Sequence, residues 1–306
     1  MKTFEEICRM SQKEVKSYMH KYLCNKKYNV INRDGFLYAK GNIPVLVVAH
    51  MDTVHHNLCE NIIVENGKMS SPEGIGGDDR CGVFIIMNLI KELHCSVLLC
   101  EDEEIGAVGA DKFIKSEYVS DVNVNYIVEF DRRGNNDAVF YSCANQKFED
   151  FICDNTGFKK AYGSFSDISV LAPALKTAAV NLSCGYYNAH TKDEYVIYDE
   201  MMDVIDAAHA LIKVESAHFE YVKREFRYTP HSYSEPDFFD DMSLPTPVHK
   251  FALGDFDIEL EVVWYDNMCK ENVGYSSGNT KAEAWCNFFM NYTDVSFNMI
   301  MDYNFN

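Results

Sequence analysis

The sequence predicts an α/β fold with a mixed, mostly parallel central sheet flanked by helices. Apolar segments at residues 44–49, 97–100 and 125–130 have the composition of strands buried on both faces. Segments with helical spacing of apolar residues, at 83–93 and 199–217, alternate with such strands along the chain. Repeated strand, loop and helix units are typical of sheets that bind ligands at the carboxyl ends of their strands.

The other elements of this domain follow the same pattern. Apolar residues at helical spacing predict one amphipathic helix over residues 4–24. Residues 36–39 predict a strand, and the turn signal at 40–42 predicts that it forms a hairpin with the strand at 44–49. Residues 178–183 predict a further buried strand. The opening hairpin is therefore expected to feed the sheet.

The composition is that of an ordinary globular protein. The chain has 306 residues, of which 47% are hydrophobic and 25% charged, with a net charge of -19. No apolar run reaches the roughly 18 residues that cross a bilayer, and the N-terminal residues lack the apolar region of a secretory signal. Eleven scattered cysteines without a CxxC pair indicate core thiols in a reducing compartment. We expect a soluble, cytoplasmic protein that binds no membrane and, because it is acidic, no nucleic acid.

The C-terminal quarter differs from the rest of the chain. Prolines and serines over residues 228–247 indicate a linker between a domain of residues 1–227 and a small acidic region of residues 248–306. Strict alternation over residues 256–262 predicts a half-buried strand, and residues 280–292 predict a helix. We expect a small α+β appendage that serves assembly or substrate access, or one that only packs and presents a solvated acidic face.

Polar residues that could carry chemistry stand where the apolar strands end. His50 and Asp52 are two positions apart, so in an extended chain their side chains point the same way. This arrangement suits a metal ligand and the carboxylate that orients it, and it equally suits a plain hydrogen bond. Asp78 and Asp79 follow a glycine-rich loop at a predicted helix start, where helix capping is the simpler explanation.

Further candidate ligands follow the next strands. Four consecutive acids, Glu101 to Glu104, would repel one another unless a cation lies among them, although a solvated turn could also carry them. Asp131 and His190 follow later strands. Two imidazoles and three carboxylates are a natural ligand set for two divalent ions that share a bridging carboxylate, and zinc suits mixed nitrogen and oxygen donors. One carboxylate must stay unligated to accept a proton from water.

Five motifs resemble, in their order, those of a known superfamily. They are residues 49–54, residues 76–82, residues 103–106, Asp131 and residues 185–195. The superfamily comprises the co-catalytic zinc exopeptidases and deacylases, which include peptidase T-like tripeptidases, glutamyl-type aminopeptidases and the carboxypeptidase/acylase group. The resemblance covers residues 1–222.

The resemblance implies a centre with two Zn2+ ions, which Co2+ or Mn2+ could replace. It implies that His50 and Asp131 bind one ion, that Glu104 and His190 bind the other, and that Asp78 bridges the two.

The resemblance also implies the chemistry. Glu103 would be the general base, and Asp52 would orient His50. The expected activity is hydrolysis of amide bonds in small peptides by an aminopeptidase, with an N-acyl amino acid deacylase or carboxypeptidase as the alternative. A catalytically silent binding or assembly protein with the same fold is the alternative from another class. The expected partner is a small peptide or acyl-amino acid, and a homo-oligomer is compatible with the sequence.

The sequence departs from the superfamily pattern in two places. Tripeptidases and carboxypeptidases of the superfamily carry an inserted lid or dimerisation domain, whereas residues 132–189 are too few to form one here. A Gly-Thr-Asp-type turn is replaced by residues 163–168 without the preceding arginine of the superfamily, which would clamp a substrate carboxylate. Arg132 and Arg133 could substitute for it. The histidines at 55 and 56 are expected at the surface.

Overall fold

The computed structural model describes residues 1–224 and, beyond them, three strands between residues 258 and 305. The chain divides into two compact units, Met1–Phe226 and Arg227–Asn306. In the first unit, eight strands form one mixed, mostly parallel sheet with helices packed against it. The predicted α/β fold class is therefore confirmed.

Helices and strands alternate along the first unit. The helices are α1 (Phe4–Cys8), α2 (Gln12–Asn25), α3 (Gly77–Leu89), α4 (Val108–Ile114), α5 (Gln146–Thr156), α6 (Asp167–Leu175) and α7 (Tyr198–Ile212), with a 3-10 helix at Glu117–Asp121. The strands are β1 (Val30–Arg33), β2 (Phe36–Ala39), β3 (Ile43–His50), β4 (Ile63–Glu65), β5 (Lys68–Ser70), β6 (Cys95–Cys100), β7 (Tyr126–Arg132), β8 (Asp137–Val139), β9 (Lys159–Ala161), β10 (Ala179–Ser183), β11 (Tyr186–Tyr187) and β12 (Tyr195–Ile197).

The central sheet brings the ends of four strands to one edge. Its strand order is β1-β2-β6-β3-β7-β10-β8-β9, and β6, β3, β7 and β10 are parallel neighbours. The register places His50 beside Cys100 and Ser183 beside Arg132. The residues that follow these strands consequently lie close together at the carboxyl edge. A second, antiparallel sheet has the order β11-β12-β5-β4.

Strand β3 is apolar because both of its faces are covered. Val45, Val47 and Ala49 pack in the core cluster that includes residues of α3 and α7, whereas Leu46 and Val48 pack in the cluster that includes residues of α4 and α6. Burial of each larger aliphatic side chain stabilises the fold by about 1.5–3 kcal/mol. The end of β3 therefore stands on a rigid support.

The opening segment forms two helices, so the prediction of one helix over residues 4–24 is wrong. The chain leaves the helical conformation between Cys8 and Gln12. The Ser11 hydroxyl accepts a hydrogen bond from the N–H of Glu14 (3.4 Å), and the Glu14 carboxylate accepts one from the N–H of Ser11 (2.9 Å). This capping box starts α2, and the apolar spacing that continues across the break conceals it in the sequence.

The predicted hairpin between residues 36–39 and 44–49 is also wrong. Strand β2 pairs antiparallel with β1 and with β6, and β6 lies between β2 and β3. The turn that forms a hairpin is Asp34-Gly35, where Gly35 has a φ of 92°. An Asp-Gly pair is a strong hairpin signal because glycine tolerates a positive φ at little cost. The turn at 40–42 instead leads into the parallel strand β3.

Residues 132–189 are described throughout, and they form part of the central sheet, two of the helices and one strand of the second sheet. They contribute the end of β7, then β8, α5, β9, α6, β10 and β11. This stretch therefore holds no separate lid, in agreement with its short length.

Three strands are described in the second unit. They are β13 (Ile258–Tyr265), β14 (Glu271–Gly278) and β15 (Ile300–Phe305), and they form an antiparallel sheet of order β14-β13-β15. The strand predicted at 256–262 falls on β13. The predicted linker at 228–247 and the predicted helix at 280–292 lie outside the described residues. In the part of the chain that is described, no helix has the length and apolarity to cross a membrane.

Candidate metal centre

The end of β3 carries the predicted pair of His50 and Asp52. Both residues are buried, and Nδ1 of His50 lies 3.1 Å from Oδ1 of Asp52. The same carboxylate accepts hydrogen bonds from the N–H of Glu103 (3.0 Å) and from the N–H of Glu104 (3.1 Å). Asp52 therefore connects the imidazole at the end of β3 with the backbone that follows β6.

Five of the predicted residues lie together in two groups that share Asp78. In the first group, Nε2 of His50 lies 3.1 Å from Oδ1 of Asp78 and 3.5 Å from Oδ1 of Asp131. In the second group, Nε2 of His190 lies 3.1 Å from Oδ2 of Asp78 and 3.1 Å from Oε2 of Glu104. Within each group the candidate ligand atoms lie within 4.8 Å of one another. One carboxylate thus presents one oxygen to each group.

The carboxylates make this region attractive to positive charge. Burial disfavours the protonated imidazole of His50, but hydrogen bonds to the surrounding carboxylates, Asp131 foremost, outweigh burial and raise the pKa well above its ordinary value. Hydrogen bonds to Asp78 and Glu104 raise the pKa of His190 to about 10. The carboxylates that favour a proton on each imidazole would also favour a cation bound among them.

The carboxylates themselves resist being charged together. Burial, followed by the charge of Asp78, raises the pKa of Asp131 to about 7. Burial, with the neighbouring carboxylates of Asp131 and Asp167, raises the pKa of Glu103 to about 9. A divalent cation among these groups would oppose both shifts, because an opposite charge nearby favours the ionised form.

The donor set fits a divalent transition metal. Oε1 of Glu104 is buried and has no hydrogen-bond partner among the described residues, although its other oxygen lies near His190. A buried carboxylate oxygen without a hydrogen-bond donor is costly, and a bound cation would offset this cost. Each group offers one imidazole nitrogen together with carboxylate oxygens, which are the donors that zinc takes in catalytic sites. The residues present are therefore able to hold two metal ions.

The four consecutive acids after β6 point to different partners. Glu101 forms an ion pair with Lys16 of α2 and accepts the N–H of Gly35 (2.9 Å). Oδ1 of Asp102 accepts a hydrogen bond from Gln12 (3.0 Å). Only Glu103 and Glu104 remain for the centre, and Glu103 belongs to neither of the two donor groups.

A buried layer beneath the centre supports Asp131 and was not predicted. The hydroxyl of Ser166, at the start of α6, donates a hydrogen bond to Glu129 and lies 3.2 Å from Oδ2 of Asp131. The side chain of Asn181 accepts the N–H of Asp131 (2.9 Å). The hydroxyl of Tyr186 lies 3.3 Å from Oδ1 of Asp131. Ser166 belongs to the turn that replaces the Gly-Thr-Asp motif, so this turn positions a candidate ligand.

Two further residues were missed or misplaced by the sequence reasoning. Glu194 is completely buried, although it is an acid in a loop. Nε2 of His55 lies 2.7 Å from Oε2 of Glu194, so the prediction that His55 lies at the surface is wrong, whereas His56 is exposed. Asp79 is buried and accepts hydrogen bonds from the N–H of Gly82 (2.7 Å) and of His50 (3.2 Å).

Comparison with known proteins identifies the fold. At the level of sequence, no family model and no curated protein matches this chain. Its structure is similar to that of aminopeptidase PepT from Bacillus cereus, with a TM-score of 0.56 and 15% identity over 68% of this chain and 96% of that chain. It is also similar to a tripeptidase from Staphylococcus aureus, with a TM-score of 0.57 and 12% identity over 69% and 96% of the two chains. The chain has the fold of these peptidases.

An archaeal protein extends this likeness. An aminopeptidase from Desulfurococcus kamchatkensis has a TM-score of 0.54 and 13% identity, covering 69% of this chain and 93% of that chain. The expected likeness to tripeptidases and aminopeptidases is therefore confirmed for the fold. In this peptidase fold, the two candidate metal groups stand at the carboxyl edge of the central sheet.

Proposed function

We propose that the protein is a dinuclear zinc-dependent exopeptidase that removes residues from the amino end of small peptides. The observation that carries the proposal is the pair of donor groups that share Asp78, one with His50 and Asp131 and the other with Glu104 and His190. Such an arrangement suits two metal ions held by a common carboxylate. The peptidase fold of the chain supports the same conclusion.

The proposal assigns a separate role to the two donor groups, to Glu103 and to Asp52. Metal ions bound by the two groups would polarise the scissile carbonyl and lower the pKa of water. Glu103 accepts the proton of the attacking water and returns it to the nitrogen of the leaving amine as the carbon–nitrogen bond breaks. Asp52 holds the imidazole of His50 and the backbone of Glu103, so that ligand and base keep their relative positions.

The charge around the centre supports an aminopeptidase over an enzyme that clamps a substrate carboxylate. The guanidinium of Arg132 is paired with Asp137, with Nη2 3.2 Å from Oδ2, so it is already neutralised. Although burial opposes ionisation, hydrogen bonds to the imidazoles hold the pKa of Asp52 and of Asp78 below its usual range, so both carboxylates stay negatively charged at the candidate ligands. A negative site attracts the positively charged α-amino group of a peptide and repels a free carboxylate.

Metal content and one substitution test the proposal. Wild-type protein should contain about two zinc ions per chain by elemental analysis, in accordance with a co-catalytic site. Glu103→Gln should keep both ions and lose about 100- to 10,000-fold of the turnover, which is the usual contribution of a general base. Glu65→Gln, an exposed glutamate on β4, is the matched control and should change neither quantity. Unchanged turnover in Glu103→Gln would exclude this residue as the base.

A substrate panel separates the alternative activities. Aminoacyl chromogenic substrates and small peptides should be cleaved, whereas N-acyl amino acids should be poor substrates. Arg133, which is exposed beside Arg132, gives a matched test. Arg133→Ala should leave peptide cleavage unchanged if no carboxylate clamp operates. Preferential cleavage of N-acyl amino acids that depends on Arg133 would instead identify a deacylase or carboxypeptidase.

The formation of a homo-oligomer and the cytoplasmic location of the protein stay predictions. Protein that binds zinc stoichiometrically but cleaves no member of the panel would favour the silent binding protein. Light scattering of the purified full chain would show whether it forms the predicted homo-oligomer. Fractionation of the producing cells would test the predicted cytoplasmic location.

A further inference from the structure

The completely buried carboxylate of Glu194 joins segments that carry different candidate ligands. Its oxygens accept hydrogen bonds from the N–H of Gly76 (2.9 Å), the N–H of Asp78 (3.0 Å) and Nε2 of His55 (2.7 Å). A carboxylate only accepts hydrogen bonds, so the imidazole of His55 donates from Nε2. A buried carboxylate is stable only when such donors satisfy it. Glu194 is therefore held rigidly, and it holds the loop of Asp78 in return.

Two glycines allow the loop of Asp78 to approach this carboxylate. A Cβ atom on Gly77 would lie 2.8 Å from Cβ of Tyr186 and 2.8 Å from Cγ2 of Val196, and it would lie 3.5 Å from Oε1 of Glu194. A Cβ atom on Gly74 would lie 2.3 Å from the ring of His55, and Gly74 has a φ of 91°. A larger residue at either position would push the loop away. The glycine-rich sequence thus permits a close backbone approach.

The two donor groups differ in what supports them. His50 and Asp131 belong to β3 and β7, two neighbouring strands of the central sheet. His190 lies outside the strands and helices, its side chain is 53% exposed, and Nε2 lies near the carboxylates of Asp78 and Glu104. Glu194 follows His190 by four residues in the same segment. The second group therefore depends on loops that Glu194 ties together.

We propose that Glu194, together with His55, is the positioning pair that holds Asp78 and the His190 segment ready for the second divalent cation. This inference rests on the proposed function. Loss of the Glu194 carboxylate should weaken the cation held by Asp78, Glu104 and His190. The cation held by His50, Asp78 and Asp131 should be retained, because the sheet still supports two of its three ligands.

Titration of metal-depleted full-length protein with zinc, in competition with a chromogenic chelator, tests the proposal. Wild type should bind two equivalents tightly. Glu194→Gln should bind one equivalent with nearly unchanged affinity and the other about 10- to 100-fold more weakly, as is usual when a group that orients a ligand is lost. His55→Ala should shift the same equivalent by a smaller factor, and His55→Gln should restore it because an amide N–H can replace the imidazole donor.

A matched control separates this role from ordinary stabilisation. Glu149 is also a buried glutamate, 3% exposed, and its carboxylate pairs with Lys160 and Arg224. Glu149→Gln should lower the thermal midpoint and leave both zinc equivalents unchanged. If Glu194→Gln does not fold, the two His55 variants decide the matter in the same titration.

The outcomes distinguish this inference from the proposed function. Two equivalents bound by Glu194→Gln with wild-type affinity would overturn the inference alone. Equal weakening of both equivalents would also overturn it, because the effect would then be general. Wild-type protein that takes up no zinc would refute the proposed function, and the inference would fall with it.

Discussion

Replacement of Asp52 by asparagine probes the side chain that connects β3 with the segment after β6. Oδ1 of Asp52 accepts hydrogen bonds from Nδ1 of His50 and from the N–H of Glu103, and Oδ2 accepts the N–H of Glu104. Asparagine has the same size but only one acceptor oxygen. If that oxygen takes the place of Oδ1, the amide group faces the N–H of Glu104, and two donors oppose each other.

The structure sets the size of the expected effect. One hydrogen bond to a charged acceptor is lost, which costs about 1.5–3 kcal/mol. Since about 1.4 kcal/mol corresponds to a factor of ten, zinc affinity should fall by about 10- to 150-fold. The displaced backbone is that of Glu104, a candidate ligand of the second group. Affinity for the zinc equivalent held by Asp78, Glu104 and His190 should therefore fall most, and turnover should fall with it.

The assay combines zinc titration with steady-state kinetics on the best substrate of the panel. Asp111→Asn, which removes one carboxylate of an exposed pair with Lys115, is the control for loss of a charge and should leave both quantities unchanged. Asp52→Ala should be more damaging than Asp52→Asn, because it removes all three hydrogen bonds. Zinc affinity and turnover within about twofold of wild type in Asp52→Asn would refute the positioning role, because the predicted change is about tenfold or more.

Three further predictions concern stability. Removal of metal with a chelator should lower the thermal midpoint of unfolding, and added zinc should restore it. The reason is that a ligand at 1,000 times its Kd stabilises the folded state by about 4 kcal/mol. An identical midpoint with and without zinc would contradict metal binding. Gly82→Ala should lower the free energy of unfolding by about 4 kcal/mol or prevent folding, since the added methyl would lie 2.0 Å from the carbonyl oxygen of Phe130. Gly157→Asn, at a φ of 74° in open space, should cost less than about 1 kcal/mol by denaturant unfolding.

The strands that carry the candidate ligands could be predicted because burial on both faces of a strand requires a continuous run of apolar residues. β6 and the part of β3 from Val45 onward are buried on both faces, so all their positions except Ser96 are apolar until His50 ends β3. Parallel strands have their carboxyl ends at one edge, and this places His50 near the segment that follows Cys100. The order of the strands in the sheet could not be predicted from the sequence. The sequence does not show that β6 pairs with both β2 and β3, because pairing depends on the whole sheet.

Glu194 could not be predicted as a buried group for a different reason. It lies in a polar loop, and a glutamate in such a sequence is normally expected to be exposed to solvent. Its burial depends on donors that are 116 to 139 residues away in the chain. The one available signal was its place in the motif at residues 185–195. His55 was misjudged for the same reason, since its partner is Glu194.

Only part of the run of four acids contributes to the candidate centre. From the sequence, repulsion among the four is expected to be relieved by a cation or by a solvated turn. In the structure, Asp102 has a φ of 60°, which breaks the alternation of an extended chain. Glu101 is thereby paired with Lys16, and that part of the repulsion is relieved without a metal. The need for a cation arises instead where Glu104 meets Asp78, a carboxylate from a distant segment. The case for a metal centre therefore depends on convergence in the fold rather than on the local density of acids.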